Sequence, residues 1–228
     1  MFAGVTDALR LFIESSTPRA SLALLRGSTV VFHESFASDR SHNARLFSPL
    51  TAALSQLAKD ERLAGVVIGT GPGSYSGTRV GIAAGQGVAM VHGCPAVGLT
   101  SLLAVVKRPA LAVGDARRGS AWRLKVRYES PGDDPELCDV GVLEGEIRDA
   151  LAEGTPVISL EAAGKIGLPA DLVASVSVEQ PDALGLASAW GQLAAEVKAD
   201  LEKSPPQPVY LRPPHVTMAK SGHPLLRK

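Results

Sequence analysis

The sequence predicts an α/β protein of two lobes, each a sheet flanked by helices, and three observations carry that prediction. Short β-branched runs alternate with segments of helical period along the 228 residues. A Gly-rich turn, Gly69-Thr70-Gly71-Pro72-Gly73, joins the apolar run Val66-Val67-Ile68 to a helix of small residues. Near mid-chain, Asp115-Ala116-Arg117-Arg118-Gly119 reads as the turn of a hairpin that opens a second set of strands.

The elements follow in order. Leu9 to Glu14, Ala20 to Arg26 and Thr29 to Phe36 are apolar or β-branched segments separated by Ser15-Ser16-Thr17-Pro18 and Gly27-Ser28, as three consecutive antiparallel strands require. From Ser41 to Lys59 the period changes, with Leu46, Leu50, Ala53, Leu54 and Leu57 three and four apart, so a helix is expected with Ser41 as N-cap and a kink at Pro49. A strand at 64–68, the Gly turn, a helix to about Met90, a strand near 96–99 and a short helix from Ser101 complete the first lobe. Three antiparallel strands, helix, strand, helix, strand is the order of a ribonuclease-H-like lobe. The second lobe looks abbreviated: hairpin strands at 109–115 and 121–128, a helix at 142–152, strands at 156–160 and 172–176, and a helix at 183–202. The expected organisation is thus residues 1–106, residues 107–204, and a tail of residues 205–228.

A hydrophobic content of 45% supports a sizeable core. Lys plus Arg and Asp plus Glu both number 23, so no global field attracts nucleic acid or an anionic membrane, and any RNA contact must be local or shared. Cys94 and Cys138 form no CxxC, which argues against a disulfide framework or zinc knuckle and suits a reducing cytoplasm. Asp7, Arg10 and Glu14 interrupt any signal-peptide core, and the nearly uncharged run 80–106 is broken by Gln86, His92 and Pro95, so no membrane span is expected. After Glu202 the chain holds six prolines, Lys203, Arg212, Lys220, Arg227 and Lys228, and no acid. Such a tail is expected to be extended or disordered over much of its length, either solvated or touching RNA.

Within the central helix, Gly77, Gly81, Gly85 and Ala89 recur every four residues and lie on one face of nearly bare backbone. Each helical Gly costs about 1 kcal/mol against Ala, so the stripe needs a close-packed neighbour. The expectation is a helix contact with another molecule; packing on the chain's own sheet is the alternative. The preceding turn lacks the Lys of a phosphate loop and the last Gly of GxGxxG. It reads first as a structural turn, with Gly71, Gly73 and Ser74 as the candidates for an anion contact if one exists.

The stretch GTGPGSYSGTRVGIAAGQGVAM followed by Cys94-Pro95-Ala96-Val97-Gly98-Leu99-Thr100-Ser101-Leu102 resembles the TsaB (YeaZ) family, whose members help make threonylcarbamoyladenosine in tRNA. The resemblance extends to Glu14-Ser15-Ser16-Thr17, to the Asp115 hairpin and to Pro208-Val209-Tyr210-Leu211-Arg212, and so spans nearly the whole chain. It implies an actin-like (ASKHA) fold of two ribonuclease-H-like lobes and a subunit that binds TsaD, with TsaE as a third partner. It also implies tRNA reached through the complex, ATP used by the complex and no cofactor held by this chain alone. A homodimer is a further possibility it raises, and it puts a subunit contact in the region of His42, with Leu46 and Leu50 on the helix that follows.

The same resemblance bears on catalysis. TsaD carries two metal-binding histidines four apart after a strand similar to Cys94–Leu99, and with Pro95-Ala96 in register those positions hold Ser101 and Val105. Neither replaces an imidazole ligand. The five histidines form no ligand-like pair. Actin-like kinases offer an Asp in the first hairpin, and TsaB proteins usually show one there, where this chain has Glu14. Glu14, Asp115, Arg117 and Arg118 are the candidate nucleotide or cleft contacts, with a surface ion pair as the alternative for the hairpin cluster. Ser74, Tyr75 and Ser76 have no neighbouring base in sequence to activate them. The expected role is binding without catalysis. An ATP-dependent enzyme of actin fold acting alone, or a glycoprotease-like peptidase, are the rivals.

Overall fold

A computed structural model of the protein describes residues 8–37 and 43–211. His42 and Ser41, like Arg212, Lys220, Arg227 and Lys228 of the tail, lie outside the described residues.

In the first lobe, β1 (Leu9–Glu14), β2 (Arg19–Arg26), β3 (Thr29–Ala37), β4 (Gly65–Gly69) and β5 (Ala96–Leu99) form a mixed sheet of order β3-β2-β1-β4-β5. Two helices cover one face, α1 (Phe47–Leu54) and α2 (Tyr75–His92). The second lobe has β6 (Ala110–Asp115), β7 (Ser120–Val126), β8 (Glu136–Asp139), α3 (Val140–Ala152), β9 (Val157–Ser159), α4 (Ala170–Ser175) and β10 (Ser177–Val178). Read from its β8 end, the second sheet runs β8-β7-β6-β9-β10. Its first three strands pair antiparallel and its last two join in parallel, as in the first sheet. The two lobes therefore share one topology, that of the actin-like fold, and the second is reduced to strands of three and two residues at β9 and β10.

Alternation along the strands sorts the side chains into three cores. In β1, Leu9, Leu11 and Ile13 pack with Leu46, Leu50, Ala53, Ile82, Val88 and Ala89 under α1 and α2. Phe12 points the other way, into a core shared by both sheets with Val67, Val97, Ala112, Trp122 and Ile158. Leu143 and Ile147 of α3 pack with Leu111 and Val113 on the far face of the second sheet.

Several local readings change. Where a helix was expected from Ser41, a 3-10 turn spans Asn43–Leu46 and α1 begins only at Phe47. Pro49 is then the third helical residue, where its missing N–H would be unpaired anyway, so no interior hydrogen bond is lost. The run at 172–176, expected as a strand, is α4: Pro169 precedes it, Asp171 lies in its first turn, and β10 follows as two residues. Strand β8, paired to β7, was not expected. The helix expected over 183–202 is two helices, α5 (Ala183–Gln192) and α6 (Ala195–Leu201), broken where Leu193 turns into the core in extended conformation. Although α5 follows the second lobe in sequence, it packs on β1, β2 and β4 of the first sheet, with Leu186 and Trp190 in the shared core.

Candidate functional site

The Gly turn lies at the C-terminal ends of β1, β4 and β5, and the backbone groups of Gly71 and Ser74 are bonded within the chain. Gly71 N–H donates to Ser101 Oγ at 3.0 Å, while Ser101 N–H and Thr100 Oγ1 donate to Gly71 O at 2.9 and 3.0 Å. Gly71 has φ +91°, which suits a residue without Cβ. Ser74 N–H donates to Ser16 O at 2.6 Å, and Ser74 Oγ, as N-cap of α2, accepts from Gly77 N–H at 3.1 Å. A Cβ at Gly73 would collide with Ser16 O. Gly71 and Ser74 thus spend these donors on the chain itself, which favours the structural turn.

Glu14, at the end of β1, is fully buried. Its Oε1 accepts from Ser16 N–H at 2.7 Å, whereas Oε2 has no hydrogen-bond partner and rests against Gly69, beside Ser101. Burial pushes its carboxyl above the ordinary Glu range, partly opposed by the hydroxyls of Ser16 and Ser101 and the backbone of Ser16 and Ser15. The expected nucleotide contact is therefore sealed inside the first lobe, because the carboxylate folds onto Gly69 instead of reaching outward. Ser101 clamps Gly71, and Val105 packs against the shared core.

The stripe Gly77, Gly81, Gly85 and Ala89 faces the chain's own sheet, and all four residues are buried. A Cβ at Gly77 would strike Ser15 O, at Gly81 it would strike Ser15 Oγ, and at Gly85 it would lie 2.6 Å from Ile68 Cδ1. The close neighbour demanded by the sequence is β1 and β4, so the expected intermolecular face is corrected: these residues are spent on the core. Leu46 and Leu50 are likewise core residues under α1, because their helical period turns them onto the sheet.

The opposite face of α2 is open. Tyr75, Ala83, Gly87, Met90 and Val91 are exposed, with Met90 83% and Val91 74% accessible, and on α1 Phe47 is 54% accessible. These two apolar side chains stand open on a helix packed along its other side. Sequence reasoning passed over them because the Gly stripe dominated the period.

At the other end of that face, Arg79 stacks on Tyr75 with 3.6 Å from guanidinium carbon to ring centroid. Its Nη2 and Nε donate to Tyr210 Oη at 2.6 and 3.2 Å. Tyr210 comes from the tail. After α6 the chain passes β5, where Pro206 packs against Gly98, and Val209 N–H donates to Thr70 O at 3.0 Å. Residues 206–211 are therefore a docked strap, with Pro206 buried and Leu211 against the shared core. The sequence displayed Tyr75, Arg79 and Tyr210 but no pattern linking residues 131 positions apart.

In the second lobe, the Asp115 carboxylate accepts from Arg117 N–H at 2.7 Å and pairs with the Arg117 guanidinium at 3.5 Å, and Asp115 N–H donates to Glu161. Arg117 and Arg118 both adopt positive φ, 66° and 58°, and both are exposed. The structure gathers Glu14 and Gly71 around Ser101, and keeps Asp115, Arg117 and Arg118 in a hairpin of the other sheet. Among the described residues no group of His, Cys, Asp and Glu is arranged to hold a metal ion, and no helix is long and apolar enough to cross a membrane.

Comparison with known proteins then places the chain. The family model for TsaD, tRNA N6-adenosine threonylcarbamoyltransferase, matches residues 32–122. An uncharacterised protein of Mycobacterium tuberculosis is 32% identical over 214 residues, covering 90% of this chain and 92% of its own. The TsaB protein of Escherichia coli, a tRNA threonylcarbamoyladenosine biosynthesis protein, is 29% identical over 134 residues, 54% of this chain and 56% of its own. The chain belongs to the TsaB (YeaZ) family. YeaZ of Pseudomonas aeruginosa superposes on this TsaB-family chain with a TM-score of 0.61 at 17% identity, over 90% of this chain and all of that one. A second Pseudomonas aeruginosa structure, of a protein similar to peptidase YeaZ, gives 0.65 at 20% identity over the same shares. At those identities the two structures speak to the fold, which they share.

Proposed function

We propose that this TsaB-family chain serves threonylcarbamoyladenosine formation in tRNA as a binding subunit, which holds a TsaD-type transferase through the outward face of α2 with TsaE as a third, ATP-using member of a cytoplasmic assembly. The observation that carries this reading is the exposure of Met90 and Val91 on a helix whose other face is locked to its own sheet. Burying such a side chain in an interface contributes about 1.5–3 kcal/mol, and fully accessible apolar groups are where that gain remains available.

The match of the TsaD model to residues 32–122 adds a geometric reason, because that stretch includes α1 and α2. Two related lobes presenting equivalent helix faces pair about a near-twofold axis, each face meeting its counterpart. A second copy of this chain would use the same surface, so a homodimer and the heterodimer compete for it. The binding role is supported by the occupations of Ser101 and Val105, which serve the Gly71 clamp and the core. Chemistry is then supplied by the transferase.

Met90→Asp tests the reading. The variant is expected to melt within a few degrees of the parent and to lose co-elution with the cognate transferase in size-exclusion chromatography, at least tenfold in affinity. Unchanged co-elution of Met90→Asp would remove α2 as the docking face. Threonylcarbamoyl transfer to tRNA by the isolated chain, surviving removal of trace transferase, would overturn the binding role itself.

A further inference from the structure

We propose that the strap, residues 206–211, is a detachable latch, and that its closing on Thr70 and Arg79 readies the face of α2 that docks the transferase. The inference rests on the reading of that face given above and adds a device that controls it. The strap forms no helix or strand and is fastened at separate points: Pro206 is buried against Gly98, Val209 N–H donates to Thr70 O at 3.0 Å, Tyr210 Oη accepts from Arg79, and Leu211 rests on the shared core. Residues 202–205, which lead into it from α6, are exposed. A segment fastened in this way opens locally while the lobe beneath it stays folded. Gly98 is fitted to it, because a Cβ there would lie 3.2 Å from Pro206 Cα and 2.9 Å from Thr70 Cγ2, and bare backbone lets the strap approach β5.

Closing the latch orders Arg79. The guanidinium stacks on Tyr75, 3.6 Å from the ring centroid, but its hydrogen bonds from Nη2 and Nε, at 2.6 and 3.2 Å, both go to Tyr210 Oη, and among the described residues no carboxylate pairs with it. With the strap open it keeps the stack and loses the bonds, which returns rotamer freedom to a long side chain. Arg79 belongs to the outward stripe of α2, since Arg79, Ala83, Gly87 and Met90 recur at intervals of four, four and three residues. The latch thus fixes one end of the stripe that Met90 closes at the other.

The direction of the effect follows from what the strap leaves open. With the latch closed, Ala83, Gly87, Met90 and Val91 are all exposed, and Met90 follows Tyr75 by 15 residues, about 22 Å along the helix axis at about 1.5 Å per residue, so Tyr210 does not cover that end of the face. The closed form is therefore the competent one. A partner that meets Arg79 already ordered has less ordering left to impose on binding. The coupling is reciprocal: a transferase that binds the closed form holds the latch shut, and whatever opens the latch weakens the transferase by the same factor.

The test is hydrogen–deuterium exchange of the full-length chain, alone and with the cognate transferase subunit, read on peptides covering residues 205–211, together with the affinity of each variant for that subunit. Exchange in the strap is expected to slow in the complex. Tyr210→Phe keeps the ring but removes the acceptor for Arg79; it is expected to speed strap exchange several-fold in the free chain, to melt within a few degrees of the parent and to weaken the transferase about fivefold, the low end of ordinary coupling. Truncation after Ser204 is expected to weaken it about tenfold or more, and truncation after Leu211 to leave it unchanged, which assigns the loss to the strap. Should the Ser204 truncation fail to fold, Tyr210→Phe decides alone. Strap exchange that the transferase does not slow would overturn the inference, as would unchanged affinity in Tyr210→Phe. Tighter binding by Tyr210→Phe would overturn it in favour of a strap that restrains docking. Loss of co-elution in Met90→Asp with unchanged affinity in Tyr210→Phe would remove the latch and keep the docking face, whereas no complex with the parent chain would remove both.

Discussion

The N–H of Val209 donates to the carbonyl of Thr70 at 3.0 Å, joining the tail to the turn between β4 and α2. That bond, the packing of Pro206 on Gly98 and the Tyr210 bond to Arg79 make residues 206–211 part of the first lobe. Truncation after Ser204 is therefore expected to lower stability by about 1–3 kcal/mol, from one buried-end hydrogen bond of about 1 kcal/mol and the apolar contacts of Pro206 and Leu211. Truncation after Leu211 leaves those contacts in place and is expected to change the urea midpoint little. Equal loss in both truncations would show that the strap contributes no stability of its own.

The glycines of α2 separate by face. Gly77→Ala gains up to about 1 kcal/mol of helix propensity but drives a Cβ into Ser15 O, a backbone atom with no rotamer to yield. Overpacking of about 1–3 kcal/mol outweighs the gain, so the variant is expected to be destabilised. At Gly87, exposed and with nothing within 4 Å of a new Cβ, the same substitution is expected to stabilise by about 0.5–1 kcal/mol. Thermal melts of the pair check both signs, and stabilisation by Gly77→Ala would contradict the internal packing of the stripe.

Glu14 makes stability depend on pH. Its folded carboxyl is raised above its unfolded value, so the native state holds the proton more tightly, and stability is greatest below the ordinary Glu range. It falls as pH rises through the raised folded value. Gln in its place keeps an acceptor for Ser16 N–H, fills the same space and carries no charge at any pH. Glu14→Gln removes the buried charge and is thus expected to raise stability near neutral pH and to flatten the profile above the ordinary Glu range. A neutral-pH melt no higher than the parent's would mean that Oε2 is better accommodated than its burial implies.

How much was legible in the sequence differs from element to element. Period-2 and helical patterns located β1, β2, β3, β4, α2, β5 and the Asp115 hairpin within a residue or two, because each has a sharp Gly, Pro or Ser boundary and an apolar face with nowhere else to go. Residues 172–176 were misread because five residues are too few to express a period, and Pro169 with Asp171 outweighed the apolar run. The Gly stripe was rightly seen to need a close neighbour. Which neighbour was not encoded in a spacing of four, since a bare helix face fits a sheet or a second helix equally well.

The sequence by itself determined the order of elements, the paired lobes and the family, all of which depend on local residue types and their spacing. Only the tertiary structure decided where the faces of α2 point, that Glu14 is sealed, that α5 lies on the first sheet and that Tyr210 meets Arg79. The reason is physical. Periodicity records that a face is buried, but what buries it depends on chain segments far away in sequence, and a contact such as Tyr210 to Arg79 leaves no local trace because neither residue needs the other to satisfy its own helix or strand.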